Sequence, residues 1–168
     1  MAVPLRGSNM KQLPLTIPII LLLALPAIAQ ELLMPNSSIP PKRVIEIQLQ
    51  AMQQNDVPSP DFGITQTWVF AHPNNKRVTG PLERFTAMVK GPNYQLLLNH
   101  RQHIIKSVVL TENYALFNVS ITTVSEHIAS FQWEVSKVKS GTHRGSWMTT
   151  AVSPPMQTKE AIQAKWHP

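Results

Sequence analysis

Residues 114–123, YALFNVSITT, and their neighbours 129–137, ASFQWEVSK, carry the plainest structural signal in the chain. In the first stretch Ala115, Phe117, Val119 and Ile121 alternate with Asn118, Ser120 and Thr122. In the second, Ala129, Phe131, Trp133 and Val135 alternate with Ser130, Gln132, Glu134 and Ser136. A period of two places each apolar set on one face of a strand. Working outward, residues 104–110 and 146–152 read as two further strands. Thr111-Glu112-Asn113 forms a turn, and residues 139–145, KSGTHRG, form a hairpin loop. Four strands joined by short connections predict an antiparallel meander. One apolar face per strand calls for a cover of helices on that side.

Upstream the period lengthens to that of helices. Residues 41–55, PKRVIEIQLQAMQQN, place Ile45, Leu49 and Met52 at i, i+4 and i+7, with Val44 beside them. This is one apolar stripe on an otherwise polar helix. Ser37-Ser38 and Pro40-Pro41 announce its start, and Asn55-Asp56 with Pro58-Ser59-Pro60 stop it. Residues 61–71 predict a shorter helix capped by Asp61, with Ile64, Trp68 and Ala71 on one face. His72-Pro73 ends that helix, because a residue before proline disfavours the helical region. A protonated His72 ring would suit the negative end of its dipole. Asn74-Asn75-Lys76-Arg77 reads as a solvated polar turn. Gly80-Pro81 opens a third helix, striped by Leu82, Phe85, Met88 and Val89, and Gly91-Pro92 closes it. Residues 94–98, YQLLL, add one helical turn. The expected fold is α+β: helices packed on a curved four-stranded antiparallel sheet.

The N-terminus supplies an address. Lys11 precedes an uncharged run, residues 13–29, that ends in Ala27-Ile28-Ala29. A basic start, a short apolar core and a small-x-small end predict a secretory signal peptide over 1–29, cleaved before Gln30. Residues 30–39 then form a linker, 40–155 the folded domain and 156–168 a weakly helical tail. Met10-Lys11 would also serve as a start. The expected destination is the periplasm, or the thylakoid lumen in a photosynthetic cell. The chain has 168 residues and no cysteine, which excludes disulfides and thiolate metal sites. Without residues 1–29 it holds 13 Lys and Arg against 9 Asp and Glu, a net of +4. The basic residues are scattered, with no stripe to track phosphates, so nucleic acid is not an expected partner. No span of the bilayer is expected once the signal is removed.

This order resembles the nuclear-transport-factor-like (cystatin-like) superfamily, and within it an exported family, domain of unknown function 4864. The resemblance rests on several features together. These are a signal peptide, a leading amphipathic helix, the step Phe70-Ala71-His72-Pro73, the spacing Phe85, Met88, Val89, Tyr94, and the meander. It covers residues 41–155. It implies a cone with an open end between helices and sheet, and it brings no activity with it. Relatives in the superfamily use that pocket for isomerase, dehydratase or hydrolase chemistry, or for plain ligand binding.

Few residues are committed to chemistry. Enzymes of this shape rely on a pocket Asp, or an Asp-His pair, to move protons next to a carbonyl. Here such a pair would have to come from Asp56 or Asp61 with His72 or His100, and no spacing forces it, so no catalytic residue is assigned. His100 and His103 are three apart, which on a strand sends them to opposite faces, and no third ligand lies near. No metal or cofactor is expected. Trp68, Trp133 and Trp147 read as core, or as rings lining a pocket with Tyr114, Asn118 and Met148 at its edges. The polar ends of His72, Arg84 and His100 belong to the segment that would cap the cone. The ligand-pocket candidates are therefore Trp68, His72, Arg84, His100, Tyr114, Trp133 and Trp147.

The leading reading is a non-catalytic exported binding or protein-interaction module. Its unknown protein partner, or a second copy of itself, would dock on the polar, uncharged outer face of the sheet. The alternative is a binder of a small hydrophobic ligand, with weak lyase or isomerase-type chemistry. A third reading, retention at a membrane surface by an uncleaved N-terminus, would be excluded by a mature chain starting at Gln30.

Overall fold

The computed structural model describes residues 31–156 of the chain. The expected signal peptide and all but the first residue of the expected tail lie outside the described residues. The order is α1 (Pro41–Gln53), α2 (Phe62–Val69), α3 (Pro73–Thr79), α4 (Leu82–Val89), a 3₁₀ turn (Gln95–Leu97), then β1 (Gln102–Leu110), β2 (Tyr114–Thr122), β3 (Ile128–Lys137) and β4 (Trp147–Val152). The strands form one antiparallel sheet in the order β1-β2-β3-β4. The fold is α+β, as the change of period at the start of the sheet predicts.

The core lies between the helices and one face of the sheet. From α1, Val44, Ile45, Leu49 and Met52 are buried; from β2, Ala115, Phe117, Val119 and Ile121; from β3, Ala129, Phe131, Trp133 and Val135. These are the two alternating sets and the helical stripe read from the sequence, now packed together. β1 departs from the pattern. Its register pairs Ile104 with Ser120 and Lys106 with Asn118, on the outer face. After an irregularity between Ser107 and Val109, Val109 pairs with Leu116, also on the outer face. Ile104 and Val109 are exposed, so the apolar residues of this edge strand do not all face the helices.

Three local expectations are corrected. Asp61 does not cap α2. Its backbone is left-handed (φ 60°), whereas a capping residue is extended, so its carboxylate turns away and pairs with Lys90 at 2.7 Å. Buried Asn55, at the end of α1, does the capping instead: its Oδ1 accepts from Ile64 N at 3.1 Å. Residues 74–77 are not a turn but part of α3. Pro73 stands at its first position and His72 is the N-cap, with Nδ1 accepting from Asn74 N at 3.1 Å. A proline that ends one helix has begun the next. Lys76 is not simply solvated either: its Nζ donates to Val69 O and lies 5.4 Å from the centre of the Trp68 ring. Burial of this ammonium lowers its pKa.

The chain between α2 and α3 is tied to the sheet. Ala71 forms a parallel bridge with Thr149 of β4. His72 N donates to Thr149 O, and Thr149 N to Phe70 O. This bridge holds α3 over the end of the sheet.

Candidate functional site

A cavity of about 400 Å³ lies between the four helices and strands β3 and β4. Its walls are Met52 of α1, Phe85, Met88 and Val89 of α4, Leu97, and Val152 of β4. Asn74, Asn75, Val78 and Thr79 of α3 line it toward solvent, where Val78 is 69% exposed. Its floor is a polar network on an otherwise apolar surface. Gln48 lies on the apolar stripe of α1, three residues after Ile45, and is buried. The Thr149 hydroxyl donates to Gln48 Oε1 at 2.6 Å. Trp133 Nε1 shares its hydrogen between Gln48 Oε1 (3.2 Å) and Thr149 Oγ1 (3.1 Å). Gln48 Nε2 donates to Thr67 O at 3.0 Å, and the Thr67 hydroxyl to Gly63 O at 2.8 Å. A buried amide or indole costs free energy unless it is hydrogen-bonded, and this network meets that need for both.

The local fold explains why β4 contributes four consecutive residues. Val135 pairs with Thr149 and Glu134 with Ala151, which leaves Thr150 as the extra residue of a β-bulge. A bulge interrupts the alternation of faces, so Thr150 joins Thr149 in lining the cavity instead of turning away from it. Tyr94 closes the far side, its hydroxyl donating to Val152 O at 3.1 Å.

Of the seven candidates named from the sequence, Trp133 lines the cavity. Trp68 stands outside it, packed on Phe85 with ring centres 5.0 Å apart. His72 is buried at the N-cap of α3 with its ring engaged. Arg84 is exposed on α4. Tyr114 sits at the start of β2 on the outer face, half-buried, paired with Ser136. Trp147 is buried at the start of β4, beneath Lys137. His100 is buried. It precedes β1, where Asn99 has a left-handed backbone (φ 53°), so the face rule for strands does not apply to it. Its Nε2 comes within 2.8 Å of His103 Nδ1, and its Nδ1 donates to Leu97 O at 2.7 Å. With Nδ1 donating, a neutral His100 offers Nε2 as acceptor and His103 supplies the hydrogen. Burial is the main cause that lowers the pKa of His72, His100 and His103. Arg77 adds to it at His72, and Glu46 works against it at His103.

Asp56 and Asp61 meet neither His72 nor His100. Asp56 accepts from Asn55 and from Asp61 N, and Asp61 is held by Asn55 and Lys90. No carboxylate, imidazole, ammonium or guanidinium belongs to a residue lining the cavity among the described residues. The titratable side chain that does is Tyr94, whose pKa burial raises. Among the described residues no three metal-ligating side chains cluster, and no helix is long and apolar enough to cross a membrane. Gln48, Thr149 and Thr150 are the functional candidates that sequence reading missed. One signal was available for Gln48, its place on the apolar stripe. For the threonines there was none, because a bulge leaves no mark in the alternation.

Comparison with known proteins found no matching family model, no matching curated protein and no matching solved structure.

Proposed function

We propose that this chain is an exported, non-catalytic binding module of the nuclear-transport-factor-like kind, and that the cavity between helices and sheet is where it holds a small neutral ligand. The observation that carries this reading is the character of the cavity. Its volume falls in the range of small-molecule sites, its walls are apolar, and a few fixed polar groups stand at its floor. The same character speaks against the lyase or isomerase alternative. General acid-base chemistry needs a group that exchanges protons near the working pH. The Tyr94 phenol, raised above its usual pKa and hydrogen-bonded to Val152 O, is not such a base. The resemblance to domain of unknown function 4864 agrees with export but adds no chemistry.

A neutral hydrophobic reporter, N-phenyl-1-naphthylamine, tests the cavity. It is expected to brighten on binding in a 1:1 ratio, and Met88→Trp, which replaces a flexible thioether on the cavity wall with a bulky indole, is expected to abolish the signal while the melting temperature holds. A reporter that stays dark with the wild-type chain, or that binds the variant equally well, rejects the reading. Export is tested separately by mapping the N-terminus, with a mature chain beginning at Gln30 as the expected result.

A second reading has its own observation. The outer face of the sheet carries exposed Ile104, Val109 and Ile128 among uncharged Asn118, Ser120, Thr122, Ser130 and Gln132. A partly apolar, twisted face of this kind suits a second copy of the chain, and this use does not compete with the cavity on the other side.

A further inference from the structure

The basic residues lie apart in the sequence, and the fold brings five of them to one end of the sheet. Three connections meet there: the residues leading into α1, the β1–β2 turn and the β3–β4 loop. Lys137 N donates to Asn113 O at 3.0 Å, which sets the loop beside the turn. A Cβ added at Gly145 would lie 3.7 Å from Ser37 Cβ, which sets the loop beside the start of α1. Residues 37–46, 110–114 and 137–145 hold Lys42, Arg43, Lys137, Lys139 and Arg144 against Glu46 and Glu112, five against two, a net of +3. The other described residues hold six basic and six acidic side chains, so the whole excess of charge stands at this end. Glu46 already holds Lys42 and Arg43. Lys137, Lys139 and Arg144 pair with no carboxylate among the described residues, and Lys137 stands over the Trp147 ring instead.

Beside these cations β1 ends in exposed apolar side chains. Val108, the extra residue of the bulge between Ser107 and Val109, is 50% exposed, and Leu110, opposite Ala115, is 65% exposed. Apolar side chains grouped at a surface mark a contact, and unpaired cations next to them select a partner that is both apolar and negative. An anionic bilayer surface supplies both within the depth of one side chain: headgroup phosphates for the cations, and the acyl boundary for Val108 and Leu110. A nucleic acid meets the cations alone. An acidic protein would need carboxylates spaced to reach separate connections of the chain, whereas lipid headgroups diffuse in the plane to wherever the cations stand. Glu112, exposed on the β1–β2 turn, opposes such a contact and gives the test a residue of opposite sign.

We infer that this end of the molecule rests on an anionic lipid surface, with Lys137, Lys139 and Arg144 at the headgroups and Val108 and Leu110 at the acyl boundary. Co-sedimentation of the natively processed chain with vesicles tests this. Vesicles of about two parts phosphatidylcholine to one part phosphatidylglycerol are expected to hold the chain at low salt and to release it at high salt, and pure phosphatidylcholine is expected not to hold it. Lys139→Ser combined with Arg144→Ser is expected to weaken binding about 25-fold, at about fivefold for each cation. Leu110→Ser is expected to weaken it about fivefold, and Glu112→Gln to tighten it. Arg84→Ser, which removes an exposed cation from α4, should leave it unchanged. All of these positions are exposed, so the melting temperature should hold throughout. Equal binding to pure phosphatidylcholine, a double variant no weaker than Arg84→Ser, or no binding to either vesicle would overturn the inference. So would a Leu110→Ser chain that binds like the wild type, which would point to a soluble polyanion in place of lipid. None of these outcomes bears on the cavity, which the neutral reporter reads separately.

Discussion

Gln48 occupies a position on α1 that its neighbours Ile45, Leu49 and Met52 make apolar, and its amide is satisfied by residues far along the chain. Thr149 lies 101 residues away and Trp133 lies 85 away. Its place on the stripe marks Gln48 as facing the core, but the partners that satisfy its amide are too distant in the chain to be read from it, which is why the floor of the cavity was not legible. The histidines show the same limit. Each is plain in the sequence, yet whether it is buried depends on what packs over it. Their burial has a consequence for stability. With native pKa values below the ordinary value, the unfolded chain binds more protons than the folded one once the pH drops below about 6.5. The stability contributed by neutral His72, His100 and His103 is therefore complete above that pH and is lost as the pH falls through it toward their native values. For His72 there is a structural reason as well. Protonation of Nδ1 removes the acceptor that caps α3. The urea midpoint is expected to fall between pH 7.5 and pH 5. His72→Asn, a residue that caps without titrating, should lose less over that interval. Equal losses for variant and wild type would show that His72 is not a source of the effect.

At the level of elements, what was legible tracks periodicity. β2, β3 and α1 have sustained patterns of two or 3.6, and their limits fall within two residues of those read from the sequence. α3 has no such pattern: PNNKRVT buries no residue, and the helix forms because Pro73 fits its first position and His72 caps it. The start of α2 was misread for another reason, since its cap comes from outside the local sequence. Asn55 supplies Oδ1 to Ile64 N and its carbonyl to Gly63 N, at 2.9 Å. At Gly63 the two helices touch. A Cβ added there would lie 2.2 Å from Ala51 O and 2.9 Å from Asn55 Cα, both backbone atoms. Gly63→Ala must therefore separate α1 from α2 and is expected to cost about 1–3 kcal/mol. Asn55→Ala removes the cap and leaves the Ile64 amide without its partner, at about 2 kcal/mol. The two residues share one joint, so the double variant should fall short of the sum of the single losses. Denaturant midpoints check all three. A Gly63→Ala chain of wild-type stability would mean that close contact at Gly63 does not hold α1 and α2 together.

The sheet as a whole presents its inner face to the helices and its outer face to solvent, and strand order fixes the charge pattern of the latter. Lys106 stands on β1 opposite Asn118, and Glu134 on β3 opposite Leu116, so the two charges flank β2 on adjacent rows of one face. In a two-fold dimer packed face to face with its axis along β2, the β1 of one copy lies over the β3 of the other. Lys106 then meets Glu134 of the second copy, and the reverse pair follows by symmetry. Ile104, Val109 and Ile128 are covered in the same step. Such a dimer predicts a charge-swap pattern that sedimentation can read. Lys106→Glu or Glu134→Lys alone places like charges together and is expected to weaken association by about tenfold or more, since like-charge juxtaposition in an interface costs several kcal/mol. The double swap restores complementarity and should return the dissociation constant to near the wild-type value. Neither substitution reaches the cavity, so binding of the neutral reporter should be unchanged in all three. A wild-type chain that stays monomeric at high micromolar concentration, or a double swap as weak as the single variants, removes this arrangement and leaves the outer face without an assigned partner.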